Sequence, residues 1–268
     1  MGGSAPKGMS RVPDRVLFLA AALIYLFLYA PILVLMFFSF NSARSTQVWE
    51  GFSTRWYAAL WQDQSILDAF YNSMLVGVTS TIIATIIGTF TAMALTRYRF
   101  RGKTVADSTI YAATVMPEIV VGVSLLAFFV AIGFGLGITT IIIAHVAFNI
   151  SFVTIVVRAR LAGMDRSIEE AAADLGANPV NTFLRVTLPL ILPGVMAGAL
   201  LAFTLSFDDF VITFFVAGVG STTLPLKIYS MIKFGVSPVI NALSTVILVV
   251  TMVLIFGGGR VLMRKEQR

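Results

Sequence analysis

The sequence predicts an all-α membrane protein that crosses the bilayer as six helices, and three observations lead to that prediction. Hydrophobic residues make up 58% of the 268 residues and charged residues only 12%, about half of the roughly 25% that a soluble domain carries. Uncharged stretches longer than the roughly 20 residues of a membrane helix recur along the chain. Lys and Arg are concentrated in alternate segments between those stretches, which is typical of membrane proteins with basic cytoplasmic loops.

The charged residues divide the chain into its predicted spans. Each span is expected to be helical, because backbone polar groups find no water in hydrocarbon. Gly133-Phe-Gly135-Leu-Gly137 predicts the turn between the third and fourth spans, and Pro117 predicts a kink within the third. The six spans lie near 16–40, 69–96, 107–131, 138–157, 188–216 and 239–262. The resulting organisation is a cytoplasmic tail at 1–15, a membrane domain at 16–262 and a second cytoplasmic tail at 263–268.

The basic residues also predict the orientation, with both termini in the cytoplasm. With the N-terminus inside, only four of the 19 Lys and Arg residues fall in outside segments: Arg44, Arg55, Lys227 and Lys233. The first 15 residues are polar, and no small-residue cleavage site lies near the end of the first span, so that span is predicted to be a retained helix. Outside, residues 53–61 predict an interfacial helix capped by Ser53, and residues 225–233 predict another short helix.

Composition and motifs exclude several classes of function. The chain has no cysteine, which rules out a disulfide framework, and its one histidine, His145, rules out a His-pair metal motif. The net charge of +6 reflects topology rather than nucleic-acid binding. Gly102-Lys103-Thr104 ends like a phosphate-binding loop, but Arg97 stands where that loop requires its first glycine. We therefore expect no ATP site and no enzymatic activity on this chain.

A cytoplasmic loop at 158–187, between spans four and five, is long for a connector. Ser167-x-x-Glu170 predicts a capping box that starts a helix, and Gly176 predicts the end of that helix. Asn178-Pro179 predicts a second short helix. The apolar residues of the first helix recur at i, i+3, i+4 and i+7 and form a narrow stripe: Ile168, Ala171, Ala172 and Leu175. Such a stripe allows close approach of another protein; the alternative is a helix that packs on its own bundle.

Three carboxylates, those of Glu118, Asp208 and Asp209, lie within apolar spans that hold no Lys or Arg. A carboxylate at the centre of a membrane helix costs about 2.5–3.5 kcal/mol, so such groups face a water-filled cavity or a partner. We expect one or more of them to attract a cationic substrate; the alternative is an acid that is protonated or bonded to a companion protein. Asp208 and Asp209 are expected to lie about 100° apart on one helix and so to face different directions.

Two further patterns predict contacts between helices. His145 and Asn149 lie four residues apart on span four, which favours interhelical hydrogen bonds over a proton relay. Gly194-x-x-x-Gly198 on span five allows close packing of a neighbouring helix.

The loop carries Glu170-Ala171-Ala172, then three residues, Gly176, nine residues and Val186-x-Leu188-Pro189. This spacing resembles the cytoplasmic signature of ABC importer permeases, in which isoleucine usually stands where this chain has Val186. Over nearly its whole length the chain is similar to the second permease of spermidine/putrescine importers. The matching stretches include 39–42, 52–57, 97–102, 124–126, 167–176, 202–209 and 224–231. At Met116-Pro117-Glu118 that family more often has Asp in place of Glu118.

The resemblance implies the fold of an ABC importer permease in the bacterial inner membrane. Its coupling helix would sit in a cleft of an ATPase subunit, through residues at the signature positions: Glu170, Ala171, Ala172, Gly176, Leu188 and Pro189. The implied complex has two different permeases, two ATPase subunits that bind the ATP and Mg²⁺, and an extracytoplasmic solute-binding protein. No cofactor is expected on this chain. The implied function is translocation of putrescine or spermidine by alternating access.

Two alternatives stay open on the sequence. A proton-coupled secondary transporter of an organic cation would use Glu118, Asp208 and Asp209 as proton sites and would need no ATPase. The substrate of an ABC importer with this sequence is alternatively another amino-cation or an amino acid derivative.

Overall fold

A computed structural model of the chain describes residues 14–44, 48–234 and 237–266, with side chains described over 15–44, 48–233 and 237–253. The predicted tail at 1–15 therefore lies almost wholly outside the described residues, and no side chain of the predicted tail at 263–268 is described. Within the described ranges the chain is helical, and its one β-type pairing is an isolated bridge between Asn41 and Phe52. The helices run in the order α1 Asp14–Phe38, α2 Arg55–Gln62, α3 Gln64–Arg97, α4 Lys103–Val115, α5 Glu118–Ala131, α6 Ile138–Ala162, α7 Ser167–Asp174, α8 Pro179–Thr182, a π-helical turn Phe183–Thr187, α9 Leu188–Asp208, α10 Val211–Val216, α11 Leu224–Phe234 and α12 Pro238–Glu266.

Chain contacts divide the protein into two compact units: Gln64–Ser230, and Met1–Asp63 together with Met231–Arg268. In the second of these units α12 contacts both α1 and α2. Asn41 holds the segment before α2. Its side-chain amide donates to the backbone carbonyl of Val48 at 2.6 Å, and its backbone carbonyl accepts from Trp56 Nε1 at 2.8 Å. The predicted interfacial helix is present as α2, but Ser53 does not cap it as expected: α2 begins at Arg55, whose amide donates to Ser53 Oγ.

The core of the unit Gln64–Ser230 forms where α3, α6 and α9 meet. Val153 of α6 is fully buried between a glycine of α3 and a glycine of α9. A methyl group added at Gly88 would lie 2.8 Å from Val153 Cβ, and one added at Gly198 would lie 3.4 Å from Val153 Cγ1. Gly194 likewise contacts the stem of Arg160 on α6, with only 2.6 Å for an added Cβ. The predicted packing role of Gly194-x-x-x-Gly198 is therefore confirmed.

Within the described part of the chain, four helices are long and apolar enough to cross a membrane: Arg15–Phe38, Gln64–Arg97, Ile138–Ala162 and Pro179–Asp208, the last including the π-helical turn. They correspond to the predicted first, second, fourth and fifth spans. The predicted turn at 133–137 separates α5 from α6, and Gly133 adopts a φ of +67° there. The predicted short helix at 225–233 is present as α11. For the sixth predicted span, α12 has an apolar described part at Pro238–Val253.

Two spans expected to be continuous are broken. The predicted span 107–131 consists of α4 and α5, bent by 112°. Proline disfavours a helical residue before it and donates no hydrogen bond, and Met116 is accordingly extended, at φ −65° and ψ 134°. The kink expected beside Glu118 is therefore present as a complete break. The predicted span 188–216 was also wrong as a single helix, because Asp209 is extended and separates α9 from α10.

Gly88→Ala is expected to lower the free energy of unfolding by about 1–3 kcal/mol, because the new methyl group overpacks against Val153. Thermal unfolding of the full chain in detergent measures the effect. Gly135→Ala is the matched control, since no atom lies within 4 Å of a Cβ added there. Equal unfolding midpoints for the two variants would contradict the packing described above.

Candidate substrate path and coupling loop

The two helix breaks bring the three predicted carboxylates into one region. Glu118 is the first residue of α5, Asp208 is the last residue of α9, and Asp209 lies in the second break. α5 packs on α10, where a Cβ added at Gly122 would lie 2.7 Å from the ring of Phe215. Glu118 is one turn before Gly122, on the face of α5 that packs on α10. The predicted substrate-path residues therefore gather where two spans are interrupted.

Asp209 holds the start of α10. Its Oδ2 accepts hydrogen bonds from the amide and the hydroxyl of Thr213, both at 2.7 Å, and its Oδ1 accepts from the amide of Ile212 at 3.3 Å. The expectation that Asp208 and Asp209 share one helix was wrong, because aspartate at the start of a helix satisfies amides that have no partner within that helix. The helix is interrupted at Asp209 and Phe210, and the Asp209 carboxylate accepts from amides in the first turn of α10.

His145 is the second partner of Asp209. Its Nε2 lies 3.2 Å from Asp209 Oδ2, and its Nδ1 lies 2.6 Å from Ser206 Oγ on α9. Ser206 in turn lies 2.9 Å from Ser80 Oγ on α3. The sequence showed no Lys or Arg near these acids, and reasoning from it overlooked this histidine as a partner of Asp209.

Asn149, one turn after His145, donates to the carbonyl of Ala202 on α9 at 3.3 Å. Because His145 also bonds Ser206 on the same helix, the predicted interhelical hydrogen bonds of His145 and Asn149 are confirmed.

Glu118 and Asp208 differ from Asp209 in their surroundings. Both are exposed, and among the side chains that the structure describes neither carboxylate has a hydrogen-bond or ion-pair partner. Asp209, by contrast, is largely buried and bonded on both oxygens. The site thus combines one carboxylate that is fixed by hydrogen bonds with two exposed carboxylates that have no partner among the described side chains.

The helix predicted near Ser167 is present as α7, with Arg166 at its N-cap position. The predicted capping box is wrong: the side chain of Ser167 caps nothing, and Ser167 donates its amide to Asp165 Oδ1 at 2.9 Å. This bond lowers the pKa of the Asp165 carboxyl below its usual value. The amide of Glu170, which a capping box would bond to the Ser167 hydroxyl, donates to the carbonyl of Arg166 at 3.2 Å. Glu170 instead lies 3.4 Å from Arg166, one turn earlier, with both side chains mostly exposed.

The end of α7 is as predicted. Gly176 adopts a φ of +85°, which glycine reaches without strain. Its amide donates to the carbonyl of Ala173 at 2.9 Å, and the amide of Ala177 donates to the carbonyl of Ala172 at 3.0 Å, which is the Schellman pattern. Asn178 then starts α8 by accepting from the amide of Asn181.

The apolar stripe of α7 is largely exposed, although Ala172 is half-buried. No residue of α7 is buried, and Leu175 just beyond it is 90% exposed. At the other signature positions, Leu188 packs against the core around Val153 and Pro189 is exposed. This exposure favours a docking surface over a helix that packs on its own bundle.

Sequence reasoning missed Glu169, which was placed only as lying away from the stripe. Its Oε1 accepts from the hydroxyl of Thr187 at 2.8 Å, and its Oε2 lies 3.1 Å from Nε of Arg97, the last residue of α3. The partners are 18 and 72 positions away in the sequence, so no local pattern indicated them.

Asp209→Ala is expected to lower the free energy of unfolding by about 1–3 kcal/mol, because it leaves the backbone amide of Thr213 without its acceptor. Asp208→Ala is the matched control and is expected to change stability by about 0.5 kcal/mol or less. Thermal unfolding of both variants in detergent measures the difference. A larger loss for Asp208→Ala than for Asp209→Ala would contradict the assigned roles.

Comparison with known proteins identifies the family of this chain. Residues 84–259 match the family model described as binding-protein-dependent transport system inner membrane component. The chain is 45% identical over 232 residues to the spermidine/putrescine transport system permease protein PotC of Escherichia coli (strain K12), covering 87% of this chain and 88% of PotC. It is 45% identical over 245 residues to the putrescine transport system permease protein PotI of the same strain, covering 89% of this chain and 86% of PotI.

The fold is similar to that in the crystal structure of a bacterial ABC transporter involved in the import of the acidic polysaccharide alginate. The TM-score is 0.73 at 18% sequence identity, over 95% of this chain and 99% of the other. This likeness confirms the predicted all-α permease fold. The chain therefore belongs to the family of binding-protein-dependent transport system inner membrane components, as a non-catalytic permease subunit of an ABC transporter.

Proposed function

We propose that this chain is the permease subunit through which a polyamine, putrescine or spermidine, crosses the bacterial inner membrane. The observation that carries the proposal is the pair of exposed carboxylates, Glu118 and Asp208, at two helix breaks. Polyamines are linear polycations at neutral pH, and two free carboxylates in a low-dielectric path attract them. The relatives PotC and PotI, named for spermidine and putrescine transport, support this substrate class.

The proposed topology has six spans with both termini in the cytoplasm. The four long helices, the bent pair α4 and α5, and α12 supply the spans. The distribution of Lys and Arg supports the orientation. The membrane domain would extend over 16–262, with the coupling loop at 158–187 and short cytoplasmic tails at 1–15 and 263–268.

The energy for transport would come from partner subunits. The proposed complex contains this chain, a second and different permease, two ATPase subunits that bind ATP and Mg²⁺, and an extracytoplasmic solute-binding protein. The ATPase would dock on α7 and its surroundings through the signature positions: Glu170, Ala171, Ala172, Gly176, Leu188 and Pro189. The exposed stripe of α7 supports this contact. Closure of the ATPase dimer on ATP would open the path outward, and hydrolysis would return it inward.

In the path itself, the three acids have different proposed roles. Glu118 and Asp208 bind the ammonium groups of the substrate. Asp209 keeps the second break in place, since its oxygens are occupied by His145 and by the first turn of α10.

Asp208→Asn and Glu118→Gln are each expected to lower kcat/KM for labelled polyamine uptake by about ten- to a hundred-fold. The reason is the loss of a hydrogen bond between charged groups, worth about 1.5–3 kcal/mol. Uptake into proteoliposomes that contain the full complex measures it. Asp68→Asn is the matched control, because Asp68 is exposed at the start of α3, where it bonds only Gln64 among the described side chains. Normal uptake by both path variants would overturn the assigned roles.

The alternative function is proton-coupled secondary transport, because interrupted helices such as the two broken spans are also typical of secondary transporters. The two functions differ in their energy source. We expect uptake to require the ATPase subunits and ATP and to be blocked by vanadate. Uptake without ATPase subunits that a protonophore abolishes would support the alternative instead.

A further inference from the structure

We infer that Glu169 is the positioning residue that joins the docking helix α7 to two membrane helices, α3 and α9, so that they move with it. The inference rests on the proposed function, because it concerns how movement of a docked ATPase reaches the substrate path. Its physical content is one carboxylate with two partners, Arg97 and Thr187, called here the Glu169 connection.

The Glu169 connection is sheltered from water. The side chains of Glu169 and Arg97 are 17% and 14% exposed, whereas the neighbouring pair Glu170 and Arg166 is 66% and 64% exposed. Exposed ion pairs are screened by solvent and contribute little. Breaking a sheltered pair leaves a charge without its partner in a poorly solvated place. α7 buries no residue of its own, so this side chain is a principal link between α7 and the membrane helices.

Arg97 depends on this carboxylate. Its Nε and Nη2 are buried, and neither forms a hydrogen bond within the described residues. Glu169, at 3.1 Å from Nε, is the acid with which it forms an ion pair. Because Arg97 ends α3, the carboxylate holds the cytoplasmic end of that helix to the loop.

Thr187 connects the same carboxylate to α9. It is the last residue of the π-helical turn Phe183–Thr187, which leads directly into α9, and it is 2% exposed. Pro189, two residues on, offers no amide to the preceding turn, which is one cause of irregular helix at this point. Single π-helical turns within α-helices occur frequently at functional sites. The hydrogen bond from the Thr187 hydroxyl to Glu169 therefore connects α7 to the π-helical turn that precedes α9.

The two membrane helices that meet at Glu169 meet again near the substrate path. Ser80 of α3 and Ser206 of α9 lie 2.9 Å apart, and Ser206 is two residues before Asp208. At 1.5 Å per residue, this second contact is about 25–30 Å along each helix from the Glu169 connection. A displacement of α7 therefore moves α3 and α9 at the end that contacts Glu169. Because the two helices are rigid, the movement reaches their other contact, next to Asp208.

The test uses the reconstituted full complex and spin labels at Ala173→Cys on α7 and Leu192→Cys on α9, both exposed positions in a chain without native cysteine. In the parent complex we expect a narrow distribution of distances between the two labels. Because α7 and α9 move together, this distribution should be the same with and without ATP, Mg²⁺ and vanadate. Glu169→Gln and Thr187→Val are expected to broaden or shift it in the ATP state. Putrescine uptake per ATP hydrolysed is expected to fall at least fivefold in both variants.

Two controls separate this role from a merely structural one. Thr187→Ser keeps the hydroxyl, and Asp174→Asn makes the same acid-to-amide change on an exposed residue of α7; both are expected to behave like the parent. If Glu169→Gln fails to assemble, Thr187→Val decides alone, since it replaces a hydroxyl by a methyl group of similar size. An unchanged distance distribution in the deciding variant, or an equal change in the controls, overturns the inference.

The label distances do not depend on the substrate. A parent complex that hydrolyses ATP but takes up no polyamine would therefore count against the proposed function, while the distances would still decide the role of Glu169.

Discussion

The close approach of α3, α6 and α9 is the constraint on which both polar clusters of this protein depend. Val153 fills the space that Gly88 and Gly198 leave open, so the three backbones lie nearer together than larger side chains would allow. Helices in a membrane gain no hydrophobic energy by associating, and small residues at the contact supply the packing that holds them. One cluster, around His145 and Ser206, forms across this contact. The other, around Glu169, forms where α3 ends and α9 begins.

The two clusters have similar chemistry but different structural roles. In each cluster, one carboxylate accepts a hydrogen bond from a threonine hydroxyl and lies next to a side-chain nitrogen of His or Arg. Asp209 has Thr213 and His145 as these partners, and Glu169 has Thr187 and Arg97. A buried carboxylate is tolerated when its oxygens are satisfied in this way. The cluster at Asp209 fixes an interruption of a membrane helix and leaves Asp208 free. The cluster at Glu169 fixes a loop to two helices.

Local features were predictable from the sequence, because the residues that determine them are neighbours. Gly176 and Asn178 act on the chain next to them, and the ends of α7 and the start of α8 follow from that. The position of the break at Pro117 was predictable for the same reason. Its size was not, because the direction of α5 depends on the contact of Gly122 with Phe215, 93 positions later.

Features that depend on distant partners were missed or wrong. His145 pairs with Asp209 across 64 positions, and Glu169 pairs with Arg97 across 72. One overlooked signal was nevertheless local: Asp209 followed by Thr213 is a plausible helix start inside an apolar run. The capping box at Ser167 was wrong because Arg166 occupies the N-cap position, so the amide of Glu170 donates to the carbonyl of Arg166 and not to the Ser167 hydroxyl.

The break between α4 and α5 also bears on how this chain enters the membrane. α5 has 14 residues, about 21 Å of helix against a hydrocarbon core of about 30 Å, so it is too short to cross the bilayer unaided. Its stable insertion during biosynthesis therefore requires the helices on either side, α4 and α6, to have been made as well.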